Sequence, residues 1–161
     1  MQIQTTRFGT IQVDQGDILM MPQGLIGFES CRHWVLLSNP GNEEIAWLQA
    51  LGLPNVAIPV VSPRLHAPEY RVHVAQRDLA VLRYHQDDRI YVLNVVSKNG
   101  VTLTTNLKSP ILLNATRKIA SQIVCTDDAP LAWPIGLLPS AKSEVESAAQ
   151  QNSNIVRVKA A

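Results

Sequence analysis

The stretch IYVLNVVSKNGVTLTTNL, residues 90–107, constrains the fold more than any other part of the chain. Two apolar-rich runs flank Asn99-Gly100, a pair preferred in two-residue type I′ hairpin turns because both central positions need positive φ. Such a turn sets Lys98 opposite Val101, Val96 opposite Leu103 and Val92 opposite Leu107. It gathers the apolar residues on one face and places Ser97 against Thr102 on the other.

The rest of the chain repeats this period of two. Tyr70, Val72 and Val74 alternate with Arg71 and His73, which reads as a half-buried strand. Ile119, Ser121 and Ile123 alternate in the same way, over 119–124. Trp34–Leu37, Ile45–Leu48 and Val56–Val61 are nearly continuous apolar runs, as expected of strands buried on both faces. Pro59 lacks an amide donor, so its strand is expected to be an edge or bulged there. RDLAVLRYH, residues 77–85, instead spaces Leu79 and Leu82 by three behind Asp78, predicting a short helix with Asp78 as N-cap and Gln86-Asp87-Asp88 as its closing turn. About nine short strands and one helix predict a mainly β fold, a small antiparallel β-barrel-like domain.

At 161 residues the chain suits one domain. Residues 1–139 are expected to form it, and the Ala-, Ser-, Gln- and Asn-rich residues 140–161 to be a flexible tail. A net charge of +1 excludes a strong overall field towards nucleic acid or anionic membrane. The charge is uneven, with three arginines against six carboxylates in residues 1–70 and eleven basic against seven acidic residues beyond. Two distant cysteines, Cys31 and Cys125, and no recognisable signal or membrane-spanning stretch point to a reducing, cytoplasmic setting.

The search for chemistry finds no nucleophile elbow, phosphate loop, dinucleotide fingerprint or zinc-protease motif. His33, His66, His73 and His85 stand too far apart for local metal-ligand spacing, so no metal and no cofactor are expected. Asp87-Asp88 and Asp127-Asp128 are adjacent pairs, and turn formation accounts for them better than acid–base catalysis. Two alternatives stay open: an enzyme with a dispersed site, and a single-strand RNA-binding barrel. For the latter, Arg71, Arg77, Arg83 and Arg89 recur every six residues, but Trp34, Trp47 and Tyr91 sit in apolar runs where core packing explains them.

Two loops remain. In MPQGLIGFES, residues 21–30, Pro22 fixes the start, Gly24 and Gly27 permit positive φ, and Phe28 can drop onto a barrel end. This segment resembles the F-P-x-G-[LI]-x-G-F-E segment of the bacterial flagellar assembly factor family, FliW. TNLKSPILLN, residues 105–114, is similar to that family's T-x-N-L-x-A-P-[IL]-x-[IVL]-N, and Arg117 followed by Gln122-Ile123-Val124 is similar to its R…Q-V-I. The opening MQIQTTRFGTIQVDQGDIL also looks like the family's start: a strand, a turn after Phe8-Gly9, and a second strand ending before the first loop. The resemblance covers about residues 1–130. Met21 stands in place of an aromatic, and Ser109 in place of alanine.

The resemblance implies a β-barrel-like, non-enzymatic cytoplasmic protein. It implies binding to the RNA-binding translational regulator CsrA, which relieves repression of flagellin synthesis, and flagellin as a second partner. Neither membrane nor nucleic acid is expected as a direct partner. Pro22, Gly24, Gly27, Phe28, Leu107 and Pro110 are expected to maintain the fold. Glu29, Asn106 and Lys108 are the candidate partner contacts, with Asp14 and Asp17 as candidates for an acidic face.

Overall fold

The structure, a computed structural model, describes residues 1–137; the expected tail and its boundary at 139/140 lie outside them. Eleven strands are present among the described residues: β1 Gln2–Thr5, β2 Gly9–Gln12, β3 Ile18–Met20, β4 His33–Ser38, β5 Ile45–Ala50, β6 Ala57–Val61, β7 Ile90–Asn99, β8 Thr102–Thr105, β9 Ile111–Asn114, β10 Ile119–Gln122 and β11 Trp133–Leu137. Seven of them close a barrel in the order β7-β6-β5-β4-β3-β10-β9, with β9 returning to β7. The fold is mainly β, as expected. The expectation of purely antiparallel pairing is corrected at one seam, where β3 and β10 run parallel through the Met20–Ile119 pair.

Strand alternation builds three apolar layers. Leu19, Trp34, Leu36, Leu48, Val60, Leu93, Ile111 and Ala120 fill the barrel interior. Their neighbours point outwards and are buried a second time. The β1–β2 hairpin covers Val35 and Leu37 with Phe8, Ile11 and Val13. On the other side Leu82, Val72 and Val74 cover Leu112, Ile119 and Ile123. The continuous apolar runs of β4 and β5 thus reflect burial on both faces.

Several local expectations are corrected. Residues 70–74 form no strand. Their alternation is real, with Val72 and Val74 packed down and Arg71 and His73 exposed, but the segment has no ladder partner. The helix, α1, spans Gln76–Val81 with Ala75 as N-cap, so Asp78 lies in its first turn and caps nothing. Arg83, at φ +50°, turns the chain away, and Leu82 is fully buried. In the β7–β8 hairpin Lys98 faces Leu103 and Asn99 faces Thr102, two residues from the expected register. Gly100, at φ +62°, is therefore the first central residue and Val101 the second; with no positive φ at Val101 this is the type II′ geometry. The first hairpin turns at residues 6–8, before Gly9, and the expected second strand is divided into β2 and β3 by a 3-10 turn at Gln15–Asp17. Pro59 lies inside the ring, yet β6 pairs with β7 only through Val60 and Val61, so no β7 amide or carbonyl is paired at the proline.

Candidate functional site

Both sequence motifs lie at one end of the barrel. The first, between β3 and β4, is a chain of tight turns: Gly24 N–H donates to the Met21 carbonyl at 3.0 Å, Phe28 to Leu25 at 2.7 Å, and Cys31 to Phe28 at 3.0 Å. Pro22 sits at the second position of the first of these turns, where its fixed φ is favoured. Gly24 is required twice over. Its φ is +69°, and a Cβ there would lie 2.6 Å from the Phe28 carbonyl oxygen. The loop drops Met21 and Leu25 into the barrel interior and sets Phe28 edge-on to the fully buried Trp34, with ring centres 6.3 Å apart.

The second motif is a bulge. β8 and β9 both pair antiparallel with β7, and residues 106–110 are extruded between them. The side chain of Asn106 accepts the Lys108 N–H at 2.9 Å, an Asx turn that folds the bulge on itself. From beneath, the fully buried Asn94 donates to the Asn106 carbonyl at 2.8 Å, and the Tyr70 hydroxyl donates to that of Leu107 at 2.6 Å. Burial pushes the Tyr70 phenol up to about 12. Backbone N–H groups of Ile123 and Cys125 bond the carbonyls of Pro110 and Lys108, tying the bulge to the chain beyond β10.

Gln122 joins the two motifs. Its Oε1 accepts the Ile26 N–H at 2.9 Å and its Nε2 donates to the Ser109 carbonyl at 3.2 Å. One side chain at the end of β10 thereby satisfies backbone groups of two loops distant in sequence. Around it lie exposed Ile26 and Val124, each 59% accessible, and the half-exposed Lys108. Glu29 is exposed in the same loop as Ile26 and accepts the Gly27 N–H at 2.9 Å, which holds its carboxyl below the usual range.

The structure therefore brings Glu29, Asn106 and Lys108 to one end, with the side-chain oxygen of Asn106 engaged inside its own loop. Asp14 and Asp17 are not part of this cluster; Asp14 precedes and Asp17 ends the 3-10 turn at the opposite end of β3. Leu107, Ser109 and Pro110 are buried in the bulge. Gln122, Asn94 and Tyr70 were not anticipated as site residues. The available signal was a lone amide inside the apolar run YVLNVV, since a buried amide demands a partner.

The remaining polar residues are engaged elsewhere. Asp88, its side chain 5% exposed, accepts from Asn114 and Arg117, each at 2.8 Å, and from the His85 N–H at 2.9 Å. The bond from Asn114 does most to lower its pKa to about 2. His73 meets Asp127 at 2.8 Å on the surface. The spaced arginines share no element: Arg71 precedes α1 and folds onto the Pro68 and Tyr70 carbonyls, Arg77 is in α1, Arg83 follows it, and Arg89 precedes β7. Trp47 is covered by the Arg7 guanidinium at 3.7 Å, and Trp34 is buried. Among the described residues no group of three or more His, Cys, Asp or Glu side chains is arranged to hold a metal, and no helix is long and apolar enough to cross a membrane.

Comparison with known proteins gives one answer. The profile of the family described as FliW protein matches residues 2–135. A flagellar assembly factor FliW from Bdellovibrio bacteriovorus is 35% identical over 130 residues, covering 80% of this chain and 74% of that protein. The FliW of Syntrophus aciditrophicus is 35% identical over 129 residues (79% of this chain and 82% of that protein), and that of Clostridium tetani 32% over 130 (80% and 90%). A crystal structure of the flagellar assembly factor FliW superposes with a TM-score of 0.76, covering 88% of this chain and 99% of that one at 22% identity, which establishes a shared fold. With a family profile spanning the barrel and curated relatives above the 30% level, this chain belongs to the FliW family of flagellar assembly factors.

Proposed function

We propose that this chain acts without catalysis, in the cytoplasm, by binding a CsrA-type translational regulator and relieving its repression of flagellin synthesis, with flagellin as a second partner. Family membership supports this reading. The observation that carries it is the face assembled by Gln122, where two motif loops present Ile26, Val124, Glu29 and Lys108 around a rigid hydrogen-bonded centre. Apolar side chains ringed by charge on a fixed backbone suit protein docking. With a net charge of only +1, any repulsion of RNA from the bound regulator acts through local carboxylates, Glu29 first, rather than through a whole-protein field.

Calorimetry tests this with the regulator alone, with the regulator saturated by flagellin leader RNA, and with flagellin as competitor, at two salt concentrations. Binding to both proteins is expected, with weaker antagonism of RNA at high salt because exposed charges are screened beyond about 8–10 Å near physiological ionic strength. Ile26→Ser is expected to weaken binding without unfolding the barrel. The absence of heat with either protein at micromolar concentration overturns the proposal.

A further inference from the structure

Beside the bulge, a groove of about 470 Å³ opens between residues 67–71 and 125–133. Its floor is apolar, with buried Leu107, Ala67 and Cys125, and Pro130 and Trp133 form one wall. The polar atoms of its two aromatic rings are already engaged: the Tyr70 hydroxyl on the Leu107 carbonyl, and the Trp133 indole N–H on the His66 carbonyl at 2.9 Å. Those bonds fix the rings and leave their hydrocarbon surface to an occupant. Burial, aided by the Asp127 charge, raises the Cys125 thiol's pKa, so it stays a neutral part of the floor.

The rim is acidic. Glu69, Asp127 and Asp128 line it against a single guanidinium, Arg71, which is folded onto the Pro68 and Tyr70 carbonyls. Asp127 is engaged by His73, whereas Glu69 and Asp128 have no ion-pair partner among the described residues. An apolar cleft edged by unpaired carboxylates is complementary to an apolar side chain carrying a cation beside it.

We propose that this groove anchors an extended segment of a partner protein, taking a leucine-like or aromatic side chain inside and seating an adjacent lysine or arginine on Glu69 and Asp128. The volume falls within the roughly 300–1,000 Å³ of ordinary binding pockets. The chemistry is separate from the face around Gln122 and does not depend on which protein supplies the segment. An acidic neighbour in place of the basic one meets like charge at the rim and is rejected.

The test uses the intact chain with ¹⁵N-labelled tryptophan, reading the Trp133 indole signal, assigned among the three tryptophans with Trp133→Phe. The probes are acetyl-Ser-Leu-Arg-Ser-amide and its counterparts with Glu for Arg or Ala for Leu. Saturable movement of the signal is expected with the Leu-Arg peptide, about fivefold tighter than with Leu-Glu at low salt, a preference that shrinks as salt rises. Glu69→Gln combined with Asp128→Asn is expected to bring the two peptides towards equal affinity while leaving the dependence on leucine. No saturable movement, equal affinity for both peptides in the unaltered chain, or a preference indifferent to the carboxylates overturns the proposal. So does a signal that moves with protein concentration alone, which assigns the groove to a second copy. A signal that responds to Arg157→Glu and not to peptide assigns it to the chain's own end, and that also overturns it.

Discussion

Asn94 holds Asn106 from below: its side-chain amide, fully buried on β7, donates to the Asn106 carbonyl at 2.8 Å, while the Asn106 N–H donates to the Val95 carbonyl at 3.3 Å. The extruded residues 106–110 interrupt the ladder, and this amide replaces the bond that the interruption removes. Asn94→Ala is expected to cost about 1–3 kcal/mol, the penalty for a buried acceptor stripped of its donor. Denaturant melts measure that loss. Hydrogen exchange adds a local readout: the Lys108 and Cys125 amides are expected to exchange faster in the variant than amides of β4 and β5.

The two glycines of the first motif are expected to differ. Gly24→Ala meets both a positive φ and the Phe28 carbonyl at 2.6 Å, which forces the loop backbone to move, at about 2 kcal/mol or more. Gly27, at φ +87°, has nothing within 4 Å of the place a Cβ would take, so Gly27→Ala carries only the conformational cost of about 1 kcal/mol. Equal midpoints for the two variants would remove the steric argument.

The hairpin turn separates two registers. With Gly100 and Val101 as central residues, Gly100→Ala is expected to lose about 1 kcal/mol for its positive φ, whereas Asn99→Ala, at a β-strand position, is expected to change stability by less than about 0.5 kcal/mol. A comparable loss at both positions in thermal or denaturant melts would point to the type I′ turn instead.

Asp88 predicts the acid limb of the stability profile. Its carboxyl titrates at about 2 in the fold against an ordinary 3.8, chiefly through the Asn114 amide, with Arg117 and the His85 N–H adding to it. A lowered folded pKa means that the unfolded chain takes up the proton first. The stabilising contribution is therefore complete above about pH 4 and is lost as pH falls through about 2. Asp88→Asn is expected to be less stable at neutral pH and to show a flatter profile between pH 4 and 2, read by urea midpoints at each pH.

Alternation made most of the barrel legible. β4, β5, β6, β7, β8 and β10 all fall on runs whose pattern indicated strands, whereas β9, Ile111–Asn114, was seen only as part of a motif. What alternation cannot carry is the identity of a partner. Val72 and Val74 alternate because one side of an extended chain rests on the barrel, and the same pattern serves a strand or a coil. The hairpin registers differ by two residues, which preserves every face, so only the backbone geometry at Gly100 and Val101 distinguishes them. The site was legible as two motifs and illegible as one surface. Glu29 and Lys108 were visible as charged residues in turn-rich loops, but no local signal marks Gln122 as the group that spans them, because its partners are fixed by barrel closure.

That closure also sets an order of events. Ile26 and Gln122 are 96 residues apart in the chain, and β3 has no neighbour on its β10 side until residues 119–122 arrive. A growing polypeptide on the ribosome can form the β4–β5 and β5–β6 hairpins early, since their contacts are local, but long-range pairings wait for the chain that completes them. The face around Gln122 is thus among the last features to form. A copy that stops just after residue 114 carries both motifs yet lacks Gln122 and the surface they make together, so under the proposed function it is expected to bind neither partner.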